Sequence, residues 1–424
     1  MNKILKIIEY PFSVLSLMLY TGGPLTVILS GGASEGESGG GDDADNSLIK
    51  IVFLFIYLIT FILLSFRWKK VVYVLSKDNY IILLLGIVTA SILWSINSEI
   101  TISRCIAIVG TSLFGIYLAS RYTLKEQVVL LGWTFTVITL LSLLFIVALP
   151  KFGIMGGIHA GAFRGIYTHK NVLGRMMIMS IIVNLLRINL DKNRSIIYVT
   201  LSLSMLLLLF CRSSAALLNF FNVIMIFLIF RTWRWHYEMM IPFSIGMITL
   251  IICGVIWFNE NSAILFSAIG KDASLTGRTE LWPIILNMIW NRPFFGYGYG
   301  AFWVDTDNLT NVWFMAGWEA PNGHNGILDL CLNAGLIGVI FFMLSLWKTL
   351  RNSFILLRYS TSSEGFWPLI FIVCLVLSNL TETALMVQND ILWVLYVAIA
   401  YSVLIPEEEE IEAANDLITV PQIY

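Results

Sequence analysis

His324 stands in Asn322-Gly323-His324-Asn325-Gly326, where a polar stretch gives way to a long apolar run. A neutral imidazole there, with an unperturbed pKa of about 6.5, can accept the proton of a hydroxyl nucleophile. The plainer alternative is a histidine that only satisfies local polar groups. Arg278 lies in Thr276-Gly277-Arg278-Thr279-Glu280-Leu281-Trp282-Pro283, ahead of the apolar stretch Ile284 to Trp290. Proline belongs in a helix's first turn, so a short interfacial helix is predicted to begin between Thr279 and Trp282 and to end before Arg292-Pro293. Arg278 at its N-terminus would offer an anion unpaired N–H groups, a positive dipole end and a guanidinium fork suited to phosphate. Its bland alternatives are pairing with Glu280 and snorkelling to lipid headgroups. Arg212, in Cys211-Arg212-Ser213-Ser214, is the polar break between two apolar helices. At the membrane edge a charge needs a partner or a function, and its structural partner would be a buried acid such as Glu382 in Thr381-Glu382-Thr383.

Weaker groupings surround these three. His169-Lys170-Asn171, with Gly174 and Arg175, suits either phosphate binding or headgroup anchoring; Arg164 is a further basic candidate beside it. Asp305-x-Asp307 is too short and common a pattern to call for a metal. Gly296-Tyr297-Gly298-Tyr299-Gly300 lacks the strand and helix of a dinucleotide fingerprint and reads as a tight aromatic turn with a possible sugar-stacking face. Cys105, Cys211, Cys253, Cys331 and Cys374 are widely spaced, without a disulfide framework or Cys-x-x-Cys pair.

The elements that must position these residues are helices in a membrane. Of 424 residues, 58% are hydrophobic and 12% charged, against about 25% charged in a soluble domain. A net charge of -1 excludes a polybasic protein that holds nucleic acid electrostatically. Apolar runs predict about twelve transmembrane helices, at 11–30, 48–66, 79–96, 100–120, 127–149, 172–190, 195–211, 213–230, 239–258, 324–347, 366–384 and 389–405. The first run resembles a signal segment in its lysine-bearing start, but its length favours a retained helix. The fold class expected is therefore all-α and polytopic, a single integral membrane domain over residues 1–424.

Arg67 to Lys70, Arg121 to Lys125, Lys192 to Arg194, Arg231 to Arg234 and Lys348 to Arg358 fall on the same side as the N-terminus, which the positive-inside rule makes cytoplasmic. Both termini are then cytoplasmic. Ten of the 26 basic residues remain outside, including Lys151, Arg164, Lys170, Arg175, Arg212 and Arg278. Residues 31–47 read as a flexible acidic outer loop and 406–424 as a cytoplasmic tail. Residues 150–171 and 259–323 are the outer segments expected to carry function. The second, between helices nine and ten, holds Trp282, Trp290, Trp303, Trp313 and Trp318 and is expected to fold on the membrane surface.

Thr276-Gly277-Arg278-Thr279 with Trp282, Pro293 to Gly300, and His324-Asn325-Gly326 with Leu328, Gly335 and Gly338 together resemble the bacterial O-antigen ligase and polymerase superfamily. Tyr167-Thr168-His169-Lys170-Asn171 with Gly174 is similar to its exopolysaccharide-polymerase branch. The resemblance implies a multi-helix fold of the glycosyltransferase C type in the bacterial inner membrane, with the active site facing the exterior. It implies a metal-independent, inverting transfer from undecaprenyl-diphosphate-linked glycan, without cofactor. His324 matches the catalytic histidine and Arg278 a diphosphate-binding arginine. Arg212 matches the second such arginine, although Cys211 stands where the family often has Ser. Arg164, His169, Lys170, Arg175, Glu280, Asn325 and Glu382 are secondary candidates. The partners implied are a lipid-linked donor and acceptor, the bilayer and a candidate chain-length regulator, with no nucleic acid. A polymerase acts on another lipid-linked repeat unit and a ligase on lipid A core; the His169 neighbourhood leans towards the polymerase. A transporter or flippase is the rival from another class, disfavoured by the lack of an internal repeat and by basic residues crowded at the outer edge.

Overall fold

Helix entries in this chain are set by short polar side chains that accept from otherwise unpaired N–H groups. The computed structural model describes residues 3–32, 47–247, 249–250, 253, 278–304 and 306–405. Its helices are α1 (Lys3–Tyr20), α2 (Leu25–Leu29), α3 (Ser47–Ser65), α4 (Trp68–Leu75), α5 (Tyr80–Ala90), α6 (Ser98–Arg121), α7 (Leu124–Ala148), α8 (Pro150–Gly153), α9 (Lys170–Arg187), α10 (Arg194–Phe210) and α11 (Ser214–Thr232). They continue with α12 (described over residues 237–247), α13 (Arg278–Asn291), α14 (Thr306–Ala316), α15 (Gly326–Tyr359), α16 (Trp367–Thr381) and α17 (Ile391–Ser402). Asn97 caps α6 through Ile100 N, Thr123 and Glu126 form a reciprocal capping box on α7, and Ser213, Asn325 and Asp390 cap α11, α15 and α17. Among the described residues there is no strand, only an isolated bridge between Ile154 and Phe163.

Among the described residues, six helices are long and apolar enough to cross a membrane, or seven if α4 and the segment Tyr80–Leu93, bent by 94°, count as one span. This is the pattern of a multi-pass membrane protein. The number is smaller than the twelve runs predicted from sequence. Run 172–190 is helical within α9, which carries Lys170, Arg175 and Arg187; run 389–405 is the short α17; run 239–258 lies partly outside the described residues. Run 11–30 is split at Thr21-Gly22-Gly23-Pro24, where Gly22 takes a positive φ of 83° and proline interrupts the ladder. Lys348 to Arg358, read as a connecting segment, is instead the continuation of α15. The acidic stretch 33–46 and the tail 406–424 lie outside the described residues, as does residue 305 of the acidic pair.

At the centre stands α17, buried along its whole length and packed chiefly on α6, with α15, α16 and α1 also against it. A second, smaller core lies in the segment predicted to fold between helices nine and ten. Leu281, Ile285 and Ile289 of α13 pack with Tyr297, Phe302 and Val312, and with Cys331 and Leu332 of α15. This hydrophobic cluster also recruits Trp282, Trp303, Trp313 and Trp318, so the segment orders itself by burying its aromatic residues.

The basic segments read as lying on one side gather at one end of the bundle. Glu9 accepts from Arg67 at 2.5 Å and from Arg121 at 2.7 Å. Arg234 reaches the carbonyls of Leu357 and Ser362, and Lys348 lies 3.7 Å from Asp78.

Candidate active site

The opposite end is built on the loop 150–171. Arg164 is fully buried there and donates to the carbonyls of Phe152 (2.8 Å), Thr168 (3.3 Å), Gly32 (2.6 Å) and Lys151 (3.0 Å). A guanidinium committed in this way organises the loop and is not presented to a substrate, which corrects the expectation for Arg164. The loop is fastened to α10 by Phe163 N donating to Phe210 O at 3.1 Å and by the stacked rings of the same two residues. That places Arg212, just beyond α10, beside Gly161: a Cβ on Gly161 would lie 3.5 Å from Arg212 Nη1. Arg212 has a left-handed backbone (φ 49°), is exposed, and has no ion-pair partner among the described residues. It is not the counter-ion of Glu382.

That acid belongs to other residues. Asn171, in the first turn of α9, accepts from Ser213 Oγ at 2.8 Å and donates through Nδ2 to Glu382 Oε1 at 3.3 Å. Arg175, one turn further, meets Glu382 Oε2 at 3.5 Å. These residues rim a cleft between α9, α11 and the end of α16 whose deeper wall is apolar, with Ile178 and Val223. His169 caps α9 by accepting from Asn171 N at 3.2 Å, and Lys170 Nζ lies 3.3 Å from His159 Nδ1. Both therefore stand at this mouth.

Arg278 begins α13, one residue before the predicted window, with Pro283 beyond the first turn. Burial pulls its guanidinium below its ordinary value, and the charge of Glu382 pulls it back up. Glu280, the neighbour in sequence, is exposed. Trp282 Nε1 donates to Gly323 O at 3.1 Å and so ties α13 to the histidine turn.

His324 takes a left-handed φ of 47°, costly for a residue with a Cβ, and its surroundings hold it there. Its N–H donates to Asn322 Oδ1 at 2.9 Å, its ring lies 5.7 Å from that of Trp318, and Asn325 accepts from Ile327 N and Leu328 N to start α15. Beneath the turn the buried Asp329 carboxylate accepts from Gly323 N (3.1 Å), Trp303 Nε1 (2.8 Å) and Thr383 Oγ1. Thr383 also reaches Asn322 Oδ1 at 3.4 Å.

Residues 382 and 383 thus join the arginine side of the site to the histidine side: Glu382 contacts Asn171 and Arg175 and its charge bears on Arg278, while Thr383 holds the turn that carries His324. The arrangement sets a half-buried imidazole, two guanidinia and an amide around one edge, with Arg212 exposed at the adjoining loop. Such a set can deprotonate a hydroxyl and stabilise a departing phosphate anion. Ser213, Asn322, Asp329 and Thr383 were given no role from sequence, and Asn171 entered only as part of the His169-Lys170-Asn171 grouping. Short polar residues at helix starts are common caps, and only their long-range partners distinguish these. The aromatic glycine turn is corrected as well: Tyr297 and Tyr299 are 5% and 2% exposed, and Tyr299 OH donates to Met386 O at 2.6 Å. Neither ring offers a face for a sugar.

Residues 197–343 of the chain match the family described as O-Antigen ligase, a segment that contains Arg212, Arg278 and His324. The chain is also similar to a ComP-specific O-oligosaccharyltransferase of Acinetobacter baylyi, 31% identical over 122 residues, which is 26% of this chain and 22% of that protein. It is similar to the exopolysaccharide production protein ExoQ of Rhizobium meliloti, 31% identical over 87 residues, 20% of each. The matched part spans about a fifth of each of these relatives. The likeness to the O-antigen ligase family is thus one of residues 197–343 of this chain.

Proposed function

We propose that this protein is a polysaccharide polymerase that transfers a glycan from undecaprenyl diphosphate to the acceptor sugar of a second lipid-linked repeat unit, on the outer face of the inner membrane. His324 takes the proton of the acceptor hydroxyl. The hydroxyl oxygen attacks the anomeric carbon from the face opposite the leaving group, the bond to the diphosphate oxygen breaks, and the configuration inverts. Arg212 and Arg278 hold the diphosphate and take up its charge as it leaves, an effect that supplies several kcal/mol in enzymes of many kinds. Lys170 and Arg175 stand next to that position. The observation that carries this reading is the tie between α13, which Arg278 begins, and the His324 turn, made by Trp282 Nε1 donating to Gly323 O at 3.1 Å.

A second reading, transfer of finished polymer to lipid A core or another non-repeat acceptor, draws support from the relative named an oligosaccharyltransferase. Products in a strain carrying His324→Ala separate the two. Core capped by single repeats marks a lost polymerase, and uncapped core with lipid-linked polymer marks a lost ligase. Unchanged polymer would remove both.

A further inference from the structure

Arg278, assigned to the diphosphate, and its neighbour Arg175 already lie within reach of carboxylates. Glu382 bears on Arg175 and Arg278, and Asp390 bears on Arg175. The hold of Glu382 is loose. Its contacts with Arg175 (3.5 Å) and Asn171 (3.3 Å) are at the long limit for hydrogen bonds, and its side chain is 33% exposed. The arginine pairs at the other end of the bundle are tight by comparison, at 2.5 Å and 2.7 Å for Glu9 and 2.6 Å for Arg187 with Asp191. Arg175 Nε is in addition buried without a hydrogen-bond partner among the described residues, so this guanidinium has unused donor capacity.

We propose that Glu382 is an internal anion that holds the place of the substrate's diphosphate between Arg175 and Arg278, and that it makes the site selective for a headgroup able to engage both guanidinia at once. This rests on the assignment of Arg278 to the diphosphate. A diphosphate spans two cations and replaces both the contact of Glu382 with Arg175 and its charge near Arg278. A single phosphate reaches one guanidinium and must still compete with the carboxylate for it. Glu382 is then a specificity-determining residue, set against monophosphate lipids that share the same membrane and tail.

The test uses the full chain purified in detergent, with inorganic pyrophosphate and orthophosphate as probes and the ligand-induced rise in unfolding temperature as readout. Glu382→Gln keeps an acceptor for Asn171 Nδ2 and removes the charge. It should tighten orthophosphate roughly fivefold, as expected for loss of a partly exposed competing ion worth about 1 kcal/mol, and tighten pyrophosphate less, which narrows the ratio between them. An unchanged ratio, or weaker binding of both anions, overturns the proposal. Arg278→Gln measured alongside keeps the two questions apart: unaltered pyrophosphate binding there removes the diphosphate assignment itself. If the glutamine variant does not fold, Glu382→Ser is read with the same expected sign.

Discussion

Arg164 and Arg212 lie in adjoining loops at the same end of the molecule and have opposite fates. Arg164 has four backbone carbonyls around its guanidinium, whereas Arg212 is exposed beside Gly161. Arg164→Met should cost about 3 kcal/mol, because removing the donors leaves buried carbonyls unpaired; thermal unfolding of the purified variant measures it. Arg212→Ala should leave the unfolding temperature where it is and abolish chain growth, so that stability and activity separate at these two positions. In sequence the two residues look alike, each a basic residue in an outer segment. What divides them is the tertiary position of carbonyls such as Gly32 O, more than a hundred residues away along the chain, which local pattern does not encode. His324 was legible because a lone imidazole at the edge of an apolar run has few bland uses. The acid beneath its turn, Asp329, was not, because it reads as an ordinary first-turn acid of α15.

The break in α15 is the device that seats the outer segment on the bundle. Gly335 adopts φ 65° and ψ -171°, and a Cβ there would run into the carbonyl of Phe294. The turn after α13 uses the opening: Leu336 N donates to Pro293 O at 2.8 Å and Tyr297 N donates to Leu332 O at 2.7 Å. Gly335→Ala therefore meets both a backbone conformation reserved for glycine, worth about 1–3 kcal/mol, and a steric clash. It should destabilise the protein by more than Gly338→Ala, whose nearest neighbour is the side chain of Ala334, and the difference in unfolding temperature between the two variants checks this. Small residues in this helix announced a close approach from sequence alone. That the approaching group is the loop's own backbone, and not a second helix or a lipid tail, follows from the length of the turn and the burial of Tyr297 and Tyr299, which are properties of the folded segment.

Across the whole molecule, charge is sorted by end. One end is fastened by short ion pairs, of which the buried Glu9 with Arg67 and Arg121 draws together α1, the α3–α4 corner and α6. Glu9→Ala should destabilise by about 3 kcal/mol or more, since it removes the carboxylate shared by two guanidinia that are 8% and 15% exposed; the loss of folded protein in a thermal challenge in detergent measures it. The grouping of basic segments was legible because composition and alternation of apolar runs carry it, whereas helix breaks at residues 21–24 and the bend after α4 depend on how neighbouring helices pack. At the other end Arg175 meets Glu382 only at 3.5 Å and Arg212 is exposed. The most direct test reconstitutes the purified protein with lipid-linked oligosaccharide and follows chain growth. The wild-type protein should extend the chains, and His324→Ala, folded to the same unfolding temperature, should not. Equal extension by the histidine variant, or movement of oligosaccharide across the bilayer without any growth, would contradict the account.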